Sequence, residues 1–512
     1  MTKAPLPIAA LTLFPLAAAA DVTPQDVWDN MSLAMSAMGA ELIAEVSDEG
    51  ATLTATDMVL TFVFPNETGR FEMDLGEMVL SDGGDGTVLI EMPVSQDLGL
   101  RGELEGEGGF SASVTLAAEN YVTTATGEPG DVTYHYELDA YDIAFTGLEL
   151  RGAPDEEVSE ADINGTMRFE TLKGFYRIWG DDLVRMSTRG TMESGAFDIG
   201  FEMTTPDGDT LVQSNSAVMG AMESSGEMAL PQGMSIMALD EALRDGLMLS
   251  YEYRLDSQET EQDQTLNDEP LGSQTASYGL TTGTLGFSAE GLSLTGQVED
   301  YEMELMQPKI MPIPLQFAIS MADGSLSVPV LRSDEPADSH MRFALDGLTL
   351  GDSLWGMVDP AGQLPRDPMQ VVIDLTAKLK LLFDMVSYDQ LVELESSDEV
   401  PAEVSEVGIT EILLNAVGAE VMAQGAFTLD NSDLETFDGF PATDGAATVT
   451  LKGFDPLLDT LIAMGLVPED QAGMARMMLG GFAQRDDEGT YTSDIEIDGE
   501  TGQITANGQR IR

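Results

Sequence analysis

Residues 373–381 read Ile-Asp-Leu-Thr-Ala-Lys-Leu-Lys-Leu, and this strict alternation of apolar and polar residues decides the fold. In an extended chain, every second side chain points to the same face. One face of this segment therefore carries five apolar side chains: Ile373, Leu375, Ala377, Leu379 and Leu381. The same period of two recurs in residues 51–64 and 132–145. Each segment is predicted to be a half-buried β-strand, and residues 373–381 supply the clearest candidate for an apolar binding face.

Turn-forming residues punctuate the chain between these segments. Aspartate and glycine cluster at residues 81–86, 206–209, 323–324 and 498–502. Short turns of this kind join antiparallel neighbours, whereas parallel neighbours need long crossover connections. The sequence therefore predicts a mainly β fold of extended antiparallel sheets, groove-forming and with a few short helices.

Two short motifs occur twice, which suggests a duplication. Residues 171–175 and 450–454 both read Thr-Leu-Lys-Gly-Phe, each expected at the end of a strand and just before a helix. Residues 134–139 and 251–256 are also similar. We interpret these matches as two similar sheets, with chance similarity of such short motifs as the alternative.

The duplicated halves would meet near residue 240. The prediction is an N-terminal β-rich half at 21–240 with a leading helix, and a C-terminal β-rich half at 241–512. The polar stretch 256–277, rich in Glu, Gln, Asp and Thr, is expected to form a long exposed loop.

Helical signals interrupt the strand pattern at two places. Near the start, Thr23 is a candidate N-cap with Pro24 at the first helical position, and Gly39 ends the helix. Its apolar stripe is expected to pack over the end of a sheet, with lipid or partner binding as the alternative. Near the end, a helical hairpin is expected at 455–483, with Asp455 as the cap of its first helix. A two-stranded ribbon at 490–497 and 503–507 follows.

The first twenty residues have the layout of a secretory signal peptide. Lys3 precedes an apolar run from Leu6 to Leu16, and the alanines at 17–20 precede Asp21. This run is shorter than the ~20 apolar residues of a membrane span. We therefore expect cleavage after Ala20, a periplasmic location, and no integral membrane span in the mature form.

Composition narrows the classes of partner. The chain has no cysteine, 22 basic residues and 91 acidic residues, for a formal net charge of −69. Such a surface repels nucleic acid, so no nucleic-acid partner is expected. Cations and a basic envelope protein remain compatible with it.

Catalytic and metal-binding patterns are sparse. The only histidines are His135, within an alternating strand, and His340, at the end of a polar loop. No Gly-x-Ser-x-Gly elbow, EF-hand, phosphate loop or dinucleotide fingerprint occurs. We therefore expect no enzyme activity, no catalytic residues, no metal site and no cofactor.

Two groups of motifs in this sequence are similar to motifs of a known family. Residues 354–360 (Leu-Trp-Gly-Met-Val-Asp-Pro) are followed by residues 364–368 (Leu-Pro-Arg-Asp-Pro). Towards the end of the chain come Met-Gly-Leu-Val-Pro at 464–468, Met-Met-Leu-Gly at 477–480 and Ala-Asn-Gly-Gln at 506–509. Over most of the mature chain, the sequence resembles exported alphaproteobacterial proteins catalogued as domain of unknown function 2125. This resemblance implies location and architecture, and no established activity.

The first group also has a physical interpretation. Its prolines restrict the backbone, and Arg366 is placed to pair with Asp359 or Asp367. We predict a structural clamp built on Trp355, with ligand recognition by Trp355 and Arg366 as the alternative.

The predicted architecture also resembles long β-sheet, groove-forming envelope proteins that shield lipid tails, although those keep an N-terminal membrane anchor. A sheet with one apolar face must cover that face with a second layer or use it to bind something apolar. We therefore expect a non-enzymatic protein whose curved sheet binds a lipid, an acyl chain or another apolar envelope component. The alternative is an envelope scaffold with a closed β core and an acidic docking surface.

Export gives the first testable prediction. Because a signal peptidase cuts after small residues, N-terminal sequencing of the mature protein should begin at Asp21 or within a residue or two of it. A mature protein that retains residues 1–20 in a membrane would contradict both the cleavage and the periplasmic location.

Overall fold

The computed structural model describes residues 21–63, 69–104, 108–151, 160–204, 208–234, 238–395 and 400–512. The expected signal peptide at residues 1–20 lies outside these ranges.

Strands dominate the described residues. In the N-terminal half they are β1 (Ala40–Asp48), β2 (Thr52–Val63), β3 (Gly69–Asp82), β4 (Val88–Glu91), β5 (Ser95–Leu104), β6 (Gly108–Glu119), β7 (Val122–Glu128), β8 (Asp131–Arg151), β9 (Glu160–Trp179), β10 (Leu183–Met192), β11 (Ser194–Thr204), β12 (Thr210–Met219) and β13 (Met222–Pro231).

In the C-terminal half the strands are β14 (Met248–Leu255), β15 (Gln258–Leu266), β16 (Glu269–Tyr278), β17 (Thr281–Ser288), β18 (Gly291–Gln307), β19 (Met311–Val328), β20 (Ala337–Leu350), β21 (Met369–Leu381), β22 (Ala402–Ala416), β23 (Ala419–Asp430), β24 (Ala442–Lys452), β25 (Gln484–Arg485), β26 (Tyr491–Asp498), β27 (Gln503–Ala506) and β28 (Gln509–Arg510).

Six helices accompany the strands within the described ranges: α1 (Pro24–Ala37), α2 (Leu239–Arg244), α3 (Asp352–Val358), α4 (Tyr388–Glu395), α5 (Phe454–Ala463) and α6 (Glu469–Phe482). The expected leading helix and helical hairpin are confirmed. The first hairpin helix begins at Phe454, with Gly453 in a left-handed conformation as its N-cap, so Asp455 lies in the first turn instead of capping it.

All 28 strands belong to one antiparallel sheet, which confirms the mainly β fold. The two β-rich halves do not form separate sheets, because β12 pairs with β15 and β13 pairs with β14. Short strands laid end to end continue the ladder beside longer ones: β10 and β11 both pair with β9. The sheet is therefore continuous across residue 240.

One unbroken row of cross-strand partners runs across most of the sheet. Directly opposed residues in antiparallel strands share a face. The row is Tyr134, Tyr176, Thr188, Gly226, Tyr251, Leu285, Leu294, Leu326, Met341, Leu375, Ile409, Gly425, Ala447 and Ile495. We call the face that carries this row the inner face and the opposite face the outer face.

Helix α1 covers one part of the inner face. Its N-terminus is a capping box: Asp26 N–H donates to the Thr23 hydroxyl, and Thr23 N–H donates to the Asp26 carboxylate. The helix contacts β1, β2 and β3 on one side of the ladder and β8, β9 and β10 further along it. Because one helix touches both groups, the sheet curves around α1.

The residues around α1 form the main hydrophobic core. Val27 packs in one cluster with Leu53 and Leu80 from the first strands and with Val132 and Val184 from the later ones. Leu243 of α2 and Val330, after β19, join the same cluster. The expected packing of the leading helix over the sheet is confirmed.

Two sequence expectations about loops and helices were wrong. Residues 256–277 form the hairpin of β15 and β16, because glutamine and threonine alternate there with acidic residues at the strand period. Residues 171–175 lie inside β9 and no helix follows them; Thr171 adopts a φ of 54° within the strand. The motif at 450–454 does run from β24 into α5.

The core around α1 yields a stability prediction. Leu53 is fully buried, so Leu53→Ala should lower the free energy of unfolding by about 2–5 kcal/mol through lost burial and a residual cavity. Leu89 on β4 is 40% exposed and serves as the matched control. Leu89→Ala should change stability by less than ~1 kcal/mol in the same denaturant titration. Equal losses for the two variants would contradict the position of this core.

Candidate ligand-binding face

The inner face is apolar and only partly covered. Leu294, Met341 and Phe343 are 38%, 43% and 45% exposed although they are large hydrophobic residues. Met341 belongs to the continuous row, and Phe343 lies two residues further along the same strand. Contiguous exposed apolar surface of this kind is typical of sites that bind a ligand or a partner.

The apolar face predicted from residues 373–381 lies within this surface. Leu375 pairs with Met341 on one side and Ile409 on the other. Ile373, Leu379 and Leu381 also pair with apolar residues of β22, namely Ile412, Val404 and Ala402. Leu381 is buried, whereas Ile373, Leu375 and Leu379 are half-buried. The pattern therefore places these four residues together, next to Met341 and Phe343.

Charged residues of the same strands lie on the outer face. Asp374 accepts from Arg342 Nη1 at 3.2 Å and lies 3.0 Å from His340 Nε2. Burial raises the pKa of Asp374, but hydrogen bonds from His340 and Arg342 outweigh it and hold that pKa below its usual range. His340 was expected at the end of a loop but lies inside β20, where it pairs with Thr376.

The next polar residues along β21 continue this outer-face pattern. Lys378 forms an ion pair with Glu406 at 3.2 Å, and Lys380 forms one with Glu403 at 3.3 Å. Both lysines are cross-strand neighbours of their glutamates. These ion pairs therefore lie on the outer face, whereas the leucines of β21 lie on the inner face.

Next to the core around α1, the inner face forms a cavity of about 250 Å³ that we call the tyrosine pocket. Its lining is Met92, Pro93, Gln96, Leu116, Ala117, Ala118, Tyr121, Thr123, Tyr136, Leu138, Tyr141, Leu172 and Tyr176. Charged residues are absent from this lining. Apolar walls with a few polar groups are typical of small-molecule sites.

A hydrogen-bonded tyrosine separates this pocket from α1. The Tyr134 hydroxyl donates to Asn30 Oδ1 at 2.8 Å, and Asn30 Nδ2 donates to the Ile178 carbonyl at 3.3 Å. The Tyr134 ring stacks on Tyr176, with centroids 4.5 Å apart, and Tyr176 lines the pocket. The helix thus fixes one wall of the pocket.

The pocket tyrosines remain uncharged phenols. Burial raises the pKa values of Tyr121, Tyr136, Tyr141 and Tyr176 above the ordinary value for tyrosine. For Tyr121 the Thr123 hydroxyl partly opposes this effect. These rings therefore offer apolar surface with hydrogen-bonding hydroxyls and no charge.

Trp355, the aromatic residue of the predicted clamp, is buried on α3. The guanidinium carbon of Arg366 lies 5.3 Å from its ring centroid, which is a cation–π geometry. Arg366 Nη1 also lies 3.5 Å from Asp352 Oδ1. Trp355 and Arg366 are thus in contact.

The two aspartates of this segment differ. Asp359 is fully buried, and its Oδ2 accepts from Leu364 N–H at 2.8 Å. The backbone N–H groups of Gln363 and Leu364 hold the pKa of Asp359 below its usual range. Asp367 is exposed. Arg366 contacts the Asp359 carbonyl oxygen and forms its side-chain ion pair with Asp352, which corrects the expected pairing with Asp359 or Asp367.

The structure also bears on metal binding. Among the described residues, no three His, Cys, Asp or Glu side chains are grouped so as to hold a metal ion. His135 lies on β8, where its ring is tilted against Phe175 on the outer face. Within the same ranges, no helix is long and apolar enough to cross a membrane.

The sequence did not reveal the tyrosine pocket. Tyr136, Leu138 and Tyr141 of β8 all line it, although a strict period of two cannot place residues 138 and 141 on one face. Between these two residues lies Asp139, opposite Thr171 of β9, whose φ is positive. At this point the side chains of the strand change the face to which they alternate. The recurrence of Tyr at 134, 136 and 141 was the available signal.

Fold and face together define a mainly β protein with a single antiparallel sheet, whose inner face is largely apolar and whose outer face carries the charged side chains of β20 and β21. The family model described as "uncharacterized protein conserved in bacteria (DUF2125)" matches residues 248–511, which is more than half of the chain. The chain belongs to this family. The motifs at 354–368 and 464–509 lie inside the match, whereas residues 1–247 precede it. No curated protein and no solved structure matches the chain.

Truncation of Trp355 tests the clamp. Because the ring is buried and contacts Arg366, Trp355→Ala should lower the free energy of unfolding by about 3–5 kcal/mol. Met357→Ala on the same helix removes a side chain that is 55% exposed and should cost less than ~1 kcal/mol. A Trp355→Ala protein of unchanged stability that no longer binds its ligand would instead identify a recognition site.

Proposed function

We propose that this protein is a non-enzymatic, periplasmic binding protein that holds a lipid, an acyl chain or another apolar envelope component against the inner face of its sheet. The observation that carries the proposal is the exposure of large apolar residues on that face, around Met341 and Phe343. A closed sandwich would bury the same residues under a second layer. The periplasmic location rests on the signal-like residues 1–20.

The tyrosine pocket supports the same function. Its apolar lining and neutral phenols suit a hydrocarbon segment, since burying apolar surface contributes about 25 cal/mol per Å². The pocket, the exposed residues of β20 and the half-buried residues of β21 lie on one face, connected by the row from Tyr176 to Leu375. A chain-like ligand could therefore contact both parts of the face.

The methionines add to the suitability of this face. The chain contains 31 methionines, and Met186 and Met228 are cross-strand partners on the inner face, as are Met192 and Met222. Unbranched, polarisable side chains adapt to ligands of irregular shape. They would accommodate hydrocarbon without demanding one ligand shape.

Apolar-probe binding tests the proposal. The uncharged fluorophore N-phenyl-1-naphthylamine should bind the wild-type protein and increase in emission. Leu379→Asp places a carboxylate on the half-buried inner face, so it should keep the fold and weaken probe binding by at least about tenfold, because desolvating a carboxylate beside a ligand is costly. Thr376→Asp in the same strand adds the same charge on the exposed outer face and should leave probe binding unchanged.

Thermal unfolding of the two variants accompanies the titration. If Leu379→Asp unfolds the protein and the wild type binds no apolar probe, the inner face is a closed core and the lipid proposal is wrong. The acidic outer face docking a basic envelope protein would then become the better account. Native mass spectrometry of protein from its own periplasm gives an independent check, because a co-purifying lipid would support binding directly.

A further inference from the structure

A row of uncharged amides crosses the inner face three strands away from the tyrosine pocket. It consists of Gln213 and Asn215 on β12, Gln262 and Gln264 on β15, and Gln274 on β16, and we call it the amide row. Gln213 pairs with Gln264, Asn215 pairs with Gln262, and Gln262 pairs with Gln274. These polar residues therefore lie side by side on three adjacent strands.

The amide row lies on the same face as the pocket. Tyr141 of the pocket pairs with Phe169, Phe169 with Gly195, and Gly195 with Met219. Asn215 and Gln213 follow Met219 at the strand period, and their partners Ile199 and Phe201 are apolar. Along β12 and β15 the residues on this face are less exposed than the intervening ones.

Hydrogen bonds order part of the row. Gln264 Nε2 donates to Gln213 Oε1 at 3.0 Å, and Gln213 Nε2 donates to Asn215 Oδ1 at 3.0 Å. Asn215 Nδ2 donates to the Ile199 carbonyl at 3.4 Å. Each amide nitrogen carries two N–H donors, and each of these bonds uses one of them. The ordered chain therefore keeps further N–H groups for acceptor oxygens of a ligand.

The surrounding charges favour an uncharged ligand. The acidic residues of β15 alternate with its inner-face residues and so lie on the outer face. They are Glu259, Glu261 and Asp263. On β11 and β12, the described inner positions carry no charge. Recognition of phosphate or carboxylate generally uses arginine or lysine, and the net charge of −69 repels anions.

The distance from the pocket to the amide row is similar to the length of one acyl lipid. From Tyr141 to Asn215 the path crosses three strand spacings and runs four residues along β12, which gives roughly 20 Å for a flat sheet. A bilayer is ~40–45 Å thick with its headgroup regions, so one acyl lipid with its headgroup spans about 20–22 Å. A chain seated in the pocket can therefore place its polar end at the row.

We propose that the amide row is a headgroup site selective for acyl lipids with an uncharged, oxygen-rich headgroup, such as the ester and hydroxyls of an acylglycerol. This inference rests on the proposed function, since it assumes that the acyl chain occupies the inner face. The row donates N–H groups to ester and hydroxyl oxygens, and the acidic outer face disfavours anionic headgroups.

Two ligands with the same acyl chain test the selectivity. Displacement of N-phenyl-1-naphthylamine by monooleoylglycerol and by oleate is measured at pH 7.5, below the concentrations at which either lipid aggregates. We expect monooleoylglycerol to bind the wild type at least about tenfold more tightly than oleate. High salt should narrow the difference, because it screens the repulsion of oleate.

Variants of the row supply the second part of the test. Gln213→Leu combined with Gln264→Leu should weaken monooleoylglycerol binding about tenfold, the effect of losing one or two net hydrogen bonds, and should leave binding of the fluorophore unchanged. Gln424→Leu makes the same substitution at an exposed outer-face position of β23 and should change neither affinity.

The outcomes separate the two proposals. If the fluorophore binds but oleate binds as tightly as monooleoylglycerol, or the double variant binds monooleoylglycerol normally, the headgroup site is refuted and the apolar face stands. If the wild type binds no fluorophore and neither lipid, the proposed function fails and the headgroup site fails with it.

Discussion

The structure depends on one constraint, which is that directly opposed residues of antiparallel strands share a face. Because the row of cross-strand partners from Tyr134 to Ile495 is unbroken, its apolar positions align from strand to strand, although bulges shift the register locally in several strand pairs. The charged positions align equally well on the other side, where Arg342, Asp374, Lys378 and Glu406 pair across strands. A shift by one residue in any strand would move its charges to the apolar face, so the register is strongly specified.

The size of the sheet explains why its apolar side is incompletely covered. The long strands β8 and β9, with 21 and 20 residues, extend ~65 Å. Helix α1 and the short α2 cover the part around Val27, Leu53 and Val184, where side chains are fully buried. Around Met341 and Phe343 the same face remains exposed. The inner face is thus a core at one place and an open apolar surface at another.

The sequence predicted those elements that are signalled by the local spacing of apolar and polar residues. The strand at 373–381, the cap at Thr23 and the hairpin of α5 and α6 were predicted correctly, since local spacing determines each of them. The hairpin of β15 and β16 was missed because glutamine occupies inner positions where an apolar residue is expected. The single sheet could not be predicted, since the pairing of β12 with β15 joins residues far apart in sequence.

The positions that depart from strict alternation of apolar and polar residues lie at the candidate site. Thr171 shifts the alternation in β9, opposite the point in β8 where Leu138 and Tyr141 come to line one pocket. The amides of β12 and β15 lie on the same face, a few strands away. Apolar residues at these amide positions would have extended the apolar face at no cost in backbone geometry. A hydrogen-bonded chain of neutral amides instead breaks it at one defined place, and an interruption that carries donors but no charge is what the proposed headgroup site requires.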